Sequence, residues 1–270
     1  MKSVFIIFSM LLFLMACCPQ KTELSKTTNE DSMSINEHLV MAVLYQQQAA
    51  ERVALSYQAY NIARIMLDEN LKAHSSKKKK AIVVDIDETV LDNSPFEAKS
   101  IVEGTQYPAY WKEWINNANA KPVPGSVDFL NYASSKNVET FYITNRKVEF
   151  KNATIKNLQD AGFPYADTLH VFFKSDKSSS KEPSRQKVST MYSIILLIGD
   201  NLADFSFLYD HASSQRRIQV TDSLKNEFGK KFIVLPNAMY GDWEDALYNY
   251  NYKYSIRERD SIRKMNLKAF

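Results

Sequence analysis

Two kinds of hydrophobic pattern follow one another along the chain. From Asn36 to about residue 80, apolar side chains recur at steps of three, four and seven: Leu39, Val43, Ala50, Val53, Tyr57, Tyr60 and Leu67. Neither Gly nor Pro interrupts them, which predicts one long helix, or two with a bend, over residues 36–80. Its apolar face should pack on the main domain or on a second copy of the chain, so a homodimer stays open. Tyr and Gln positions break the seam that a free-standing coiled coil would need. Short, continuous apolar runs then take over: Ala81–Asp85, Glu139–Thr144, Leu169–Phe173, Ile194–Gly199 and Phe232–Leu235. Runs of this length, apolar on both faces, read as buried strands. Helix-like stretches near 125–136, 148–161, 183–192 and 203–210 separate them. The alternation predicts an α/β fold, a Rossmann-like parallel sheet covered by helices over residues 81–270. Ligands in such sheets bind beyond the carboxyl ends of the strands. Residues 93–124, rich in Tyr and Trp, interrupt the alternation and predict a small cap over that edge.

The residues before this body follow another logic. Lys2 precedes the apolar stretch Val4–Met15, too short to span a bilayer, and then small Ala16. Residues 1–16 therefore read as a secretory signal. Leu14-Met15-Ala16-Cys17 resembles the bacterial lipoprotein box, in which the cysteine is lipidated and becomes the first mature residue; the alternative is an ordinary signal followed by a chance cysteine. Residues 17–35 are polar and read as a flexible tether between lipid and domain. The expected location is the cell envelope, lipid-anchored through Cys17, at the outer membrane.

Composition narrows the picture. The 270 residues are 45% hydrophobic and 24% charged, which suits one globular domain with an appendage. A formal charge of +3 is too small for a nucleic-acid or anionic-membrane footprint. The run Lys77–Lys80 reads as a solvated linker before a buried strand rather than a binding patch. Both cysteines, Cys17 and Cys18, sit at the signal, so no disulfide can staple the body and its core must hold it.

The candidate chemistry lies at strand ends. "AIVVDIDET" runs from a strand into Asp85, Asp87 and Glu88, and "LLIGDNLADF" places Asp200 and Asp204 after another strand. Carboxylates gathered at one sheet edge repel, and burying them without a cation is costly. Oxygen ligands with neither His nor Cys beside them point to Mg²⁺. Taken singly, Asp-x-Asp suits a capped turn and Gly-Asp-Asn an ordinary loop. "FYITNR" adds Thr144, whose hydroxyl could donate to a phosphate oxygen, and "DKSSSKEP" adds Lys177 and Lys181, either of which could offset phosphate charge. The histidines, His38, His74, His170 and His211, lie in no Arg-His-Gly context and read as surface or packing residues.

In this order, Asp85-Ile86-Asp87-Glu88-Thr89, Thr144, a lysine, and Gly199-Asp200 with Asp204 resemble the four motifs of the haloacid dehalogenase superfamily. "DIDETVLDNSPF", "VPGSVDFLNY", "FYITNRK", "DKSSSKEPSRQKV", "LLIGDNLADF" and "FIVLPNAMYGDWE" are similar to the class C acid phosphatases, the lipoprotein e nucleotidase family of bacterial lipoproteins. The resemblance covers residues 39–250 and the lipidation signal. It implies that Asp85 is the nucleophile and that Asp87 protonates the leaving oxygen, then deprotonates the hydrolytic water. It also implies Mg²⁺ held by the Asp85 and Asp200 carboxylates and the Asp87 carbonyl, with Asp204 supporting that shell. Thr144, Asn145 and Lys181 would bind the phosphate, with Lys177 the other candidate lysine. Trp111, in "YPAYWKEW", and Tyr240, in "NAMYGDW", match residues that flank a nucleotide base; aromatics at such spacings also serve as core. The implied substrates are small phosphomonoesters: nucleoside monophosphates, nicotinamide mononucleotide and aryl phosphates. The competing reading is a surface lipoprotein that binds haem or another ligand on a phosphatase fold. A pure binder, however, has no use for the second aspartate or the lysine.

Overall fold

Five apolar runs pair into one sheet, and every pair in it is parallel. The computed structural model describes residues 36–73, 77–174 and 179–270. The signal, Cys17, the tether, His74 and Lys177 lie outside the described residues. Two helices come first, α1 (Val40–Gln48) and α2 (Ala50–Ala73), followed by strand β1 (Lys79–Val84). A short strand β2 (Leu91–Asp92), helices α3 (Ser94–Val102) and α4 (Trp111–Asn117), and a short strand β3 (Lys121–Pro122) come next. Then follow α5 (Ser126–Ser135), β4 (Glu139–Lys147), α6 (Lys151–Asp160), β5 (Val171–Lys174), α7 (Glu182–Met191) and β6 (Tyr192–Gly199). The chain finishes with α8 (Ser214–Ser223), β7 (Phe232–Val234), a single turn α9 (Asp242–Asp245) and α10 (Ile256–Met265).

The sheet order is β5-β4-β1-β6-β7, with β1 central. Alternation along β1 splits the core in two. Ile82 and Val84 face a layer that includes Tyr60, Ala63 and Leu67 of α2 and Leu130 of α5. Ala81 and Val83 face the other layer, with Phe141, Leu197, Phe205 and Val188 of α7. Ile82, Val84, Leu196 and Ile198 are at most 1% exposed. Each such side chain contributes roughly 1.5–3 kcal/mol through burial. Strands β2 and β3 pair antiparallel, Leu91 with Pro122, and bracket α3 and α4.

The helical segment differs from its expected face. Ala49 takes an extended conformation (ψ 122°) and separates α1 from α2, so the two helices do not share one phase. Val43, Tyr60 and Leu67 are buried, but Val53 and Tyr57 point outward at 37% and 49% exposure. The inward stripe of α2 is instead Arg52, Ser56, Ala59, Tyr60, Ala63 and Leu67. Polar residues join it because they are paired: Arg52 Nε donates to Gln46 Oε1 at 3.1 Å, and Tyr60 Oη donates to the Thr89 carbonyl at 2.7 Å. A hydrophobicity pattern cannot anticipate a buried polar pair.

Three smaller departures matter. The stretch near 203–210 is two 3₁₀ turns, Leu202–Asp204 and Phe207–Tyr209, rather than a helix. Helices α8 and α10 had no counterpart in the pattern. Lys79 and Lys80 belong to β1 itself; Lys77 to Lys79 are exposed, while Lys80 Nζ donates to the Leu71 carbonyl at 3.1 Å, in the last turn of α2, where positive charge is favourable.

Candidate active site

Strands β1, β4 and β6 end at the same edge, and the residues that follow or finish them converge there. Asp85 follows β1 and continues its ladder, its N–H donating to the Ile198 carbonyl at 3.0 Å. Asp200 follows β6. Asp204 is fixed by a capping box: Asn201 accepts from the Ala203 N–H, and Asp204 Oδ2 accepts from the Asn201 N–H at 3.1 Å. Gly199 makes room for that carboxylate, because a Cβ there would sit 2.3 Å from Asp204 Oδ2. Lys181 caps the start of α7 and reaches the same spot.

Together these residues form one buried cluster. Asp85, Asp200 and Asp204 offer carboxylate oxygens that all lie within 4.8 Å of one another. Lys181 Nζ donates to Asp204 Oδ1 at 2.5 Å and to Asp85 Oδ1. Thr89 Oγ1 lies 3.2 Å from Asp200 Oδ1 and 3.4 Å from Asp85 Oδ2, and Asn237 Nδ2 donates to Asp200 Oδ2 at 2.8 Å. Asp85, Asp204 and Lys181 are 6%, 6% and 8% exposed. Three carboxylates against one ammonium leave two negative charges in excess. Burial, with repulsion from Asp204 and Asp200, therefore drives the Asp85 carboxyl far above the usual range despite Lys181. Burial and Asp204 push Asp200 up to about 7. Burial alone would pull the Lys181 ammonium down, but Asp204 and Asp85 outweigh it and hold the group above its ordinary value. An all-oxygen site short of two positive charges fits a hard divalent cation.

Asp87 does not join that cluster through its side chain. The cation beside the Asp87 carboxylate is Arg146. Its Nη2 and Nε donate to Asp87 Oδ1 at 2.7 and 2.9 Å. Asn93 Nδ2 donates to the same oxygen at 2.7 Å, and Thr144 Oγ1 to Oδ2 at 3.3 Å. Thr144 is 1% exposed and so spends its hydroxyl on Asp87, whereas neighbouring Asn145 is exposed and lines the cleft. Arg146, itself 3% exposed, went unread in the sequence. Its signal was present: it follows Thr144 by two positions at a strand end, and so shares its side.

A cleft of about 1000 Å³ opens over these groups. Trp111 and Tyr240 both line it, together with Asp85, Asp87, Lys181 and Asp200. The Trp111 ring packs edge-on against Phe96, with centroids 4.9 Å apart. Tyr240 Oη donates to Glu88 Oε2, which pins the ring from below. Glu88 is fully buried, takes a left-handed backbone (φ 57°) and also accepts from the Asn93 N–H at 2.7 Å. Burial, reinforced by Asp87 and Asp200, raises its carboxyl well above the ordinary range. Glu88 and Thr89 entered the sequence reading only as part of the Asp85–Thr89 motif, and Asn93 and Asn237 were not singled out, since side chains that support others carry no spacing of their own.

Known proteins resemble this chain. Residues 8–243 match the model of the HAD superfamily, subfamily IIIB (acid phosphatase). The structure of the class C acid phosphatase from Bacillus anthracis is 47% identical and superposes with a TM-score of 0.86, covering 88% of this chain and all of that one. The same enzyme with tungstate bound matches equally well. Among plant proteins, the stem 28 kDa glycoprotein of Glycine max is 26% identical over 186 residues, 66% of this chain and 69% of its own length. A stem 31 kDa glycoprotein of the same plant is 27% identical over 166 residues, 59% of this chain and 54% of its own length.

Proposed function

Because the chain belongs to the HAD superfamily subfamily IIIB acid phosphatases and is a phosphomonoesterase, we propose that it is a lipid-anchored, Mg²⁺-dependent 5′-nucleotidase acting through an aspartyl-phosphate. The observation that carries this reading is the separation of the two aspartates. Asp85 sits among carboxylates and an ammonium, and Asp87 sits apart, held by Arg146. The Asp85 carboxylate attacks phosphorus and the ester oxygen leaves with a proton from Asp87. Asp87 then takes a proton from the water that attacks the acyl phosphate. Lys181 supplies positive charge to the phosphoryl oxygens, and Asn145 donates from the open side. Thr144 acts through Asp87, whose carboxylate it faces. HAD phosphatases generally use a divalent metal. Mg²⁺ would be held by Asp85 and Asp200 with Asp204 beside them, and when bound it would offset the phosphate charge.

Two aromatic walls on the same cleft support a planar leaving group, hence nucleoside monophosphates, nicotinamide mononucleotide and aryl phosphates. The Bacillus anthracis enzyme binds tungstate, a tetrahedral oxyanion like phosphate, which supports phosphate chemistry here. The test is hydrolysis of adenosine 5′-monophosphate and glycerol phosphate, with EDTA and then with Mg²⁺ restored. Activity should vanish in EDTA and return with Mg²⁺. Stacking a base is worth about 1–3 kcal/mol, so Trp111→Ala should lower kcat/KM for the nucleotide roughly 5- to 150-fold and spare glycerol phosphate. A common loss on both substrates would make Trp111 packing and remove the nucleotide preference. The anchor has its own check. Cys17→Ala should abolish palmitate labelling and move the protein out of the membrane fraction, and unchanged labelling would refute it.

A further inference from the structure

The cleft is larger than a phosphate site requires. Its volume of about 1000 Å³ lies at the upper end for small-molecule sites. Part of its wall comes from the end of the chain, from Tyr252 and, on α10, Arg259 and Arg263. These residues lie beyond 8–243, the stretch that the family pattern matches. The two arginines are not equivalent. Arg263 is committed: its Nη1 donates to Tyr248 Oη at 2.9 Å and lies 3.8 Å from Glu244 Oε1. Its Nη2 lies 4.0 Å from Asp260 Oδ1. Arg259 has no carboxylate within ion-pair distance among the described residues. Its Nη2 donates to the Tyr252 carbonyl at 3.2 Å, and its guanidinium carbon sits 5.4 Å from the centre of the Tyr248 ring. Its Nε is buried without a hydrogen-bond partner.

A guanidinium held by a carbonyl and a ring keeps its charge and is already oriented, so little order is lost when an anion meets it. The buried Nε is out of a ligand's reach, so what the cleft offers an anion is the charge of the guanidinium as a whole. Of the acids on this wall, Asp245 feels the Arg259 charge but lies beyond ion-pair distance and accepts from the Tyr252 hydroxyl at 3.2 Å. Glu244 is engaged by Arg263, and burial with repulsion from Glu244 pushes Glu97 up to about 7. We propose that Arg259 forms a distal anion subsite, which takes a carboxylate or phosphate carried on the leaving alcohol some distance from the scissile phosphate. This rests on the phosphomonoesterase reading and adds a substrate class to it: esters whose alcohol carries a second acidic group.

The test uses the full chain with Mg²⁺ and two ester series of matched length, alkyl phosphates and ω-carboxyalkyl phosphates, with p-nitrophenyl phosphate as reference. At one chain length the carboxylate-bearing ester should be preferred in kcat/KM, through KM, by about tenfold to a hundredfold, as expected for one charge-assisted contact. Arg259→Gln should bring that ratio close to one, and Arg259→Lys should keep part of it. The proposal is overturned if no length shows a preference, if the preference survives Arg259→Gln, or if both series fall by the same factor in that variant. Wild-type protein inactive on p-nitrophenyl phosphate as well would overturn the phosphatase reading itself, a separate failure.

Discussion

Arg146 decides what Asp87 can do. A lone carboxylate beside the Asp85 cluster would be repelled and free to turn. The guanidinium holds it through Nη2 and Nε, and Asn93 and Thr144 fix the remaining oxygen positions. On the proposed mechanism, the proton that Asp87 gives the leaving oxygen is thereby aimed. General acid help matters most when the leaving group is poor, where it is worth about 10²–10⁴-fold. Asp87→Asn should therefore cost alkyl phosphates roughly that factor and p-nitrophenyl phosphate much less. Arg146→Ala should show the same asymmetry at smaller size, about 10- to 100-fold on alkyl esters. The measurement is kcat/KM for both ester types in each variant. Equal losses would make Arg146 a structural ion pair only. Among single residues, the sequence made the positions of Asp85, Asp200, Asp204 and Lys181 legible because each follows a recognisable strand or opens a helix. Arg146 was missed because a lone arginine in "TNRK" has no partner until β4 is laid beside β1.

At the scale of elements, the turn after β6 is where fold and site depend on the same atoms. Gly199 ends the strand, and its missing Cβ is the space that the Asp204 side chain occupies, with Oδ2, Cβ and Cγ all within 2.7 Å of where a methyl group would be. Arg185 of α7 ties the same turn down by donating to the Ala203 and Asp204 carbonyls, both at 2.8 Å. Gly199→Ala should therefore displace Asp204 and with it Lys181. Overpacking of this kind costs about 1–3 kcal/mol. At roughly 2–4 °C per kcal/mol for a chain of this size, Tm should drop by several degrees. Turnover should fall at least tenfold although Gly199 itself touches no substrate. Wild-type Tm and kcat in the variant would show that the turn can relax freely. The five strands were legible here because a doubly covered sheet demands uninterrupted apolar runs. Helix α10 was not, since its residues are mostly polar, yet Ser255 and Glu258 form the capping box that could have marked its start. The inward face of α2 was misread for the opposite reason, polar residues being buried there in pairs.

Across the whole molecule, the cap side and the C-terminal segment meet through charge. Glu97 on α3 lines the cleft with Glu244 on α9, and burial followed by repulsion from Glu244 moves Glu97 from an ordinary 4.5 up to about 7. His38, before α1, lies 3.8 Å from Glu244 and is lowered to about 4 by burial, then by Arg263. The consequences for stability have opposite signs. Below about pH 4.5 Glu97 is protonated whether the chain is folded or not, and it costs nothing. As pH rises from there through 7 the unfolded chain ionises first, so the fold loses stability; above 7 the cost is constant. His38 acts the other way, costing stability as pH falls from 6.5 towards 4, and it is present in wild type and variant alike. Glu97→Gln removes the first contribution and leaves the amide where a neutral carboxyl would be. The variant should match wild type at pH 4.5 and be more stable at pH 8, by roughly 1–3 kcal/mol once relaxation is allowed for. Urea unfolding of both proteins at the two pH values measures it. A difference of the same size at both would mean that Glu97 matters through packing, and that the charge between α3 and α9 is already relieved by solvent.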